Sequence, residues 1–311
     1  MRSSAGKTAR DGSMVPEAEF GSYYGLPILN APVWHSPEIP GYLFLGGLAG
    51  SSSALALGAQ LTGSRQLATR TKVVAAGAIG LGAIALVRDL GRPERFYNML
   101  RVLKPTSPMS VGSWLLAVYA PAAGVAATTG MFRRLPRLGI LATAVAAVVG
   151  PAVATYTAAL LADTAVPAWH EARRELPLIF AGSSALAAGG MGLVLAPSGQ
   201  AGPARRLALM GAALELASLT KMQRRLGSVG APYANAKAGT YLNAGRALSA
   251  AGLVLTVLGT RTRSVRACAG VALLSASACT RFGIFEAGRQ SAADPTYTVE
   301  PQRARRDAKG A

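Results

Sequence analysis

Eight stretches of about 20 predominantly apolar residues, each long enough to cross a hydrocarbon layer about 30 Å thick as a helix, constrain this chain more than any other feature. They fall near 41–61, 70–88, 109–131, 138–162, 175–196, 205–226, 239–260 and 264–286. The predicted fold class is therefore all-α, an integral membrane helical bundle of about eight transmembrane helices. A soluble domain of 311 residues with 51% hydrophobic and 15% charged residues would have nowhere to hide its apolar surface. The net charge of +18 does not point to nucleic acid, because the basic residues sit in short clusters between apolar runs. Residues 1–39 hold no apolar core of signal-peptide length, so the first spanning helix is expected to serve as its own targeting signal.

An even number of crossings puts both termini on one face, here called A, with the loops at 89–108, 163–174 and 227–238. The opposite face, B, carries only tight turns near 62–69, 132–137, 197–204 and 261–263. Eleven basic residues flank those turns: Arg65, Arg70, Lys72, Arg133, Arg134, Arg137, Arg205, Arg206, Arg261, Arg263 and Arg266. No acid accompanies them. Thirteen of the 14 acids lie on or near face A, and the fourteenth, Glu215, is inside the sixth run. The positive-inside rule, read from short loops, places face B in the cytoplasm and face A outside it, although most of the 32 basic residues lie away from the face-B turns. The long, chemically varied loops make face A the expected surface for a partner or a reaction.

Gly- and Ala-rich segments such as Gly46-Gly47-Leu48-Ala49-Gly50 and Ala187-Ala188-Gly189-Gly190 predict close helix packing. Pro121 and Pro151 fall inside the third and fourth runs, where neighbouring helices can tolerate a kink. Cys268 and Cys279 are eleven residues apart in the last run, too far along one helix for a disulfide, and read as small packing residues. Two cysteines are also too few for an iron–sulfur cluster, and the only histidines, His35 and His170, flank the membrane and do not face each other across a bundle as haem ligands. No haem, cluster or metal is expected on this chain. Each His follows a Trp and is either an interfacial polar residue beside an anchor or a hydrogen-bonding partner for a ligand.

Ionisable residues in lipid are costly and are normally paired or functional. Glu215 and Arg246 lie at compatible depths, so they form either a structural ion pair or part of a proton path leading inward from face A. Asp89, Asp163 and Glu286 stand at helix ends, where a solvated carboxylate is the plainer alternative to a proton-handling one. The segment Asp89-Leu90-Gly91-Arg92-Pro93-Glu94-Arg95-Phe96 and the later Lys104-Pro105-Thr106-Ser107-Pro108-Met109-Ser110 are richer than a connection requires. They either roof a pocket or form an ordinary interfacial loop.

These two segments, completed by Val111-Gly112-Ser113-Trp114, closely resemble the NrfD/polysulfide reductase family of membrane subunits. The resemblance extends over roughly residues 35 to 300 through Tyr42 to Gly50, Tyr156-Thr157-Ala158, Leu176 to Phe180, Arg281-Phe282, Glu286-Ala287-Gly288 and Asp294 to Val299. It implies two four-helix bundles, at 41–162 and 175–286, between a polar N-terminal segment, 1–40, and a polar tail, 287–311. It also implies electron exchange between a membrane quinone or menaquinone, as exchangeable substrate, and a ferredoxin-like iron–sulfur subunit that feeds a molybdopterin catalytic subunit. By resemblance, Tyr156 hydrogen-bonds a quinone carbonyl, Asp89 relays protons, His35 supplies a second carbonyl partner, and Arg92, Lys104 and Ser107 roof the pocket or dock the partner. The family often has Gly where this chain has Ala158. Two other readings stay open: a proton or solute transporter using Glu215 and Arg246, though no inverted repeat is evident, and a structural anchor without its own quinone site.

Overall fold

The computed structural model describes residues 28–30, 32–89, 93–258, 262–300, 302 and 306, with the side chains of residues 93, 95, 96 and 228 excepted. Among them, eight long helices run in order: α1 (Glu38–Leu61), α2 (Arg65–Asp89), α3 (Pro108–Phe132), α4 (Pro136–Ala162), α5 (Leu176–Leu195), α6 (Gly202–Leu226), α7 (Ala236–Leu258) and α8 (Arg263–Ala293). No strand occurs among the described residues. Proline stands in the first turn of α3, α4, α5 and α6, where its missing N–H costs nothing. Gly227, with φ of 54°, ends α6 in a conformation that side chains with a Cβ resist.

Seven of these helices are long and apolar enough to cross a membrane, and α6 is the exception because charges crowd both its ends. Its contacts nevertheless show that it spans the same layer as α5. The turn before α6 lies at face B, where Gln200 Oε1 accepts from the backbone N–H groups of Gln66 and Leu67 at 3.2 and 3.3 Å. At the other end of α6, Arg225 grips Glu175 at the start of α5, with Nε to Oε1 at 2.8 Å and Nη2 to Oε2 at 2.7 Å. Two antiparallel helices tied at both ends cover the same thickness.

Helices α1 to α4 pack on one another, as do α5 to α8, and α5 joins the two sets by lying against α1 and α4. Glycines set the closest crossings. A Cβ at Gly50 of α1 would fall on the carbonyl of Gly150 in α4, and one at Gly150 on the carbonyl of Gly50. Gly182 meets Gly211 and Glu215 of α6 in the same way, and Gly190 meets Gly270 of α8. Backbones this close gain dispersion contacts that larger side chains would prevent, which is what drives helix association where the surroundings are as apolar as the helix.

The structure departs from expectation most at face A. α8 continues to Ala293, seven residues beyond the predicted end. The face-A loops carry short helices of their own at Pro93–Leu100, Pro167–Glu171 and Ala231–Ala234. Trp169 is no interfacial anchor: it is fully buried, donates from Nε1 to the Ile284 carbonyl at 2.8 Å, and lies against Gly288, with Trp34 and Phe285 at its sides. Gly288 has no side chain to obstruct the indole, so the 163–174 loop folds inward. The face-B arginines also do more than mark topology. Arg266 donates to the Leu193 and Ala196 carbonyls, and Arg70 to that of Leu195, so two of them satisfy the exposed C-terminal carbonyls of α5.

Two stability consequences follow. Gly50→Val places a side chain against the α4 backbone and should cost about 1–3 kcal/mol, whereas Gly124→Val, with open space around it, should leave the thermal midpoint in detergent nearly unchanged. The Arg225 hydrogen bonds hold the Glu175 carboxyl below the usual range. Because the folded value lies below the unfolded one, the pair's stabilisation is fully present above about pH 4 and is lost as the pH falls through the lowered value. Arg225→Ala should therefore cost about 2 kcal/mol at pH 7, between a surface pair and a buried one, since Arg225 is 32% and Glu175 2% exposed. The difference in midpoint from wild type should shrink on acidification.

Candidate functional site

At the face-A end of the first four helices, α1, α2, α3 and α4 part around a cleft lined by Trp34, Ile39, Tyr42, Leu43, Leu86, Asp89, Met99, Met109, Ser113, Leu116, Tyr156, Leu160 and Leu161. The Tyr42 and Tyr156 hydroxyls hydrogen-bond to each other across it. The Tyr156 ring lies where a Cβ on Gly112 would stand, so the glycine of Val111-Gly112-Ser113-Trp114 makes room for the phenol. Asp89 closes α2 at the rim. Its Oδ1 accepts from the His35 backbone N–H at 3.1 Å and lies 3.0 Å from His35 Nδ1. The Asp89 side chain is 9% exposed and that of His35 74%, so the pair connects the cleft to solvent.

The open volume of the cleft is about 90 Å³, below the roughly 300 Å³ at which ligand cavities usually begin. Admitting a ring therefore requires side chains to move. Met99 and Met109 are suited to this, being unbranched and able to change rotamer at little cost.

Of the predicted site residues, Tyr156 and Asp89 line this cleft and His35 touches Asp89 from outside. Lys104 and Ser107 do not line it. They lie in the turn before α3, held by a Ser107 N–H to Lys104 carbonyl bond at 3.0 Å and by Ser110 Oγ, which accepts from the Lys104 N–H at 2.9 Å. Arg92 lies outside the described residues. Ala158, at the position where Gly was expected, is fully buried beside Leu161 and Tyr42 in the face-A core. Among the described residues, no group of three or more His, Cys, Asp or Glu side chains gathers as metal ligands would. Cys268 and Cys279 are free thiols.

Glu215 and Arg246 are not brought together. Arg246, on α7, turns to Asn243 Oδ1 at 3.3 Å, because α7 packs chiefly on α8 and hardly touches α6. The cation facing Glu215 is Arg281 of α8. Arg281 is fully buried, donates from Nη2 to the Phe180 carbonyl and to Ser184 Oγ at 2.7 Å each, and lies 3.7 Å from the centre of the Phe180 ring. Both Glu215 carboxyl oxygens, and Nε and Nη1 of Arg281, make no hydrogen bond within the described residues. Gly47 of α1 lets the guanidinium pack against that helix.

The family described as polysulphide reductase, NrfD, matches residues 26–199, more than half of the chain. The chain belongs to this family. No curated protein matches the chain. NrfD membership makes it a membrane subunit of a quinone-reactive oxidoreductase complex. The matched region covers α1 to α5 and thus the whole cleft; Glu215, Arg281 and the Asp294 to Val299 segment lie beyond it. Tyr42 also lines the cleft, which the sequence did not indicate, because only the α1–α4 crossing places it opposite Tyr156.

The Glu215–Arg281 arrangement predicts strong coupling. Arg281→Met leaves an unpaired buried carboxylate and should cost about 3–5 kcal/mol, while Glu215→Leu/Arg281→Met together should recover most of that loss. A double-mutant cycle on the thermal midpoint of this NrfD subunit in detergent measures the coupling, and additive losses would show that the two groups do not interact.

Proposed function

We propose that this NrfD subunit exchanges electrons between a membrane quinone, menaquinone in the first instance, and a ferredoxin-like iron–sulfur subunit docked on face A. That partner in turn serves a molybdopterin catalytic subunit. The chain resides in the inner membrane of the cell, with face A and the termini outside the cytoplasm. The observation that carries the reading is that Tyr42, Tyr156 and Asp89 open on one apolar cleft whose one charged member among the described residues, Asp89, is joined to an exposed histidine.

Oxidation of a quinol releases two electrons and two protons. A phenol at the cleft wall donates to a quinone oxygen or accepts from a quinol hydroxyl, so Tyr156 serves either redox state, with Tyr42 holding its hydroxyl in place. Asp89 accepts the two protons from the substrate hydroxyls in turn and passes each to His35, whose exposed ring releases it to water. The electrons leave toward face A, where the 93–108 segment and the short helices supply the docking surface. Lys104 and Ser107 belong to that surface and not to the cleft. The apolar remainder, Ile39, Leu43, Leu86 and Leu116, suits the ring and the start of an isoprenoid tail.

Titration of a quinone analogue against the full-length protein in mild detergent tests this reading. Tyr156→Phe should weaken binding about tenfold, the value of one buried hydrogen bond. Asp89→Asn should bind but slow quinol oxidation by the complex purified with its partner. A well-folded wild type that binds no quinone would sink the proposal and leave the anchor or transporter alternative.

A further inference from the structure

A second groove lies at the opposite face, between the ends of α1 and α3 and the starts of α2 and α4. It encloses about 810 Å³, and its charged lining consists of Arg65, Arg70, Lys72 and Arg133, with no acid among them. Among the described residues, none of these four forms a salt bridge. Lys72 is the most telling. It lies about 10 Å along α2 from the helix start, is only 9% exposed, and its Nζ finds a neutral partner, Gln60 Oε1, at 2.8 Å. A buried ammonium without a counter-charge is costly, and its long stem lets it reach toward the groove mouth. The groove's lining also includes two exposed apolar side chains, Met131 and Ile140, at 55% and 57% exposure.

We propose that this groove binds an anionic phospholipid, its phosphate on Arg65, Lys72 and Arg133 and its acyl chains along Met131 and Ile140. Charge selects the headgroup, and basic pockets between transmembrane helices are suited to it. The exposed apolar pair distinguishes a lipid from free phosphate, which shares the anionic chemistry but fills little of the volume and gains nothing from Met131 or Ile140. Arg70 contributes field more than contact, because its guanidinium is engaged by the Leu195 carbonyl. The site is independent of the quinone cleft, which lies at the other face.

The test uses the full-length protein in detergent micelles doped with phosphatidylglycerol, with phosphatidylcholine, or with inorganic phosphate alone, read by native mass spectrometry and thermal midpoint. Phosphatidylglycerol should bind saturably and raise the midpoint, and phosphatidylcholine should not. Arg65→Gln/Arg133→Gln should weaken that binding about 25-fold, from roughly fivefold per basic residue. Arg206→Gln/Arg263→Gln, equally basic positions on the same face but outside the groove, should leave it unchanged. Lys72→Gln should raise the lipid-free midpoint while removing the phosphatidylglycerol increment, opposite movements that a failure to fold would not produce. Equal binding of phosphatidylcholine, wild-type affinity in Arg65→Gln/Arg133→Gln, or complete displacement of the lipid by millimolar phosphate would overturn the proposal.

Discussion

The contact between α1 and α4 at Gly50 and Gly150 governs the face-A half of the molecule. With no Cβ on either side, the two backbones meet directly, and the antiparallel helices stay close for the next two turns. Tyr42 lies eight residues from one glycine and Tyr156 six from the other, about 12 and 9 Å along the axes, so the two hydroxyls arrive at the same level. Gly112 on α3 then removes the last obstruction to the Tyr156 ring. The cleft is thus a product of three glycines that carry no chemistry of their own. About one turn nearer face A on α1, Gly47 gives Arg281 its place by the same device.

A dry interior treats polar groups severely, and the chain answers in several ways. Carbonyls at the end of α5, left open by the helix, are met by Arg70 and Arg266 from other helices. Arg281 spends one nitrogen on the Phe180 carbonyl and Ser184, and faces Glu215 as its counter-charge. Arg266 and Lys72 both lack a carboxylate within the described residues, but Arg266 has two carbonyls at the negative end of α5, whereas Lys72 has a single side-chain amide. Among the described residues, buried cations are thus met by a carboxylate, by helix-end carbonyls or, at Lys72, by one amide that leaves room for the proposed anion.

The fold was legible because crossing a membrane demands a long apolar run, and that demand is written locally, residue by residue. The sixth apolar run, 205–226, folds as α6, although its flanking arginines and lysine keep it from being long and apolar enough to count as a span by itself. The cleft was legible in part. Asp89 and Tyr156 stood out through the motifs around them, and the Gly112 motif proved to be the complement of the Tyr156 ring. Glu215 stood out as an embedded acid, but its partner did not follow from depth: Arg246 and Arg281 are both near the middle of their helices, and depth alone does not distinguish the helix faces. Trp169 misled for a related reason, since a Trp at a helix end looks like an interfacial anchor until the glycine that receives it, 119 residues later, is known to lie beneath it.

By itself the sequence determined that this chain is an all-α membrane bundle, where its long apolar helices lie, and which family it resembles. Those properties depend on transfer from water to hydrocarbon and on local strings of residues, both readable along one dimension. Only the tertiary structure decided which residues meet: Tyr42 with Tyr156, Asp89 with His35, Arg281 with Glu215, and four cations around one groove. Pairing across helices depends on rotation about each axis and on where small residues allow backbones to touch, and a rotation of about 100° per residue moves a side chain to a different neighbour without changing its depth by more than about 1.5 Å.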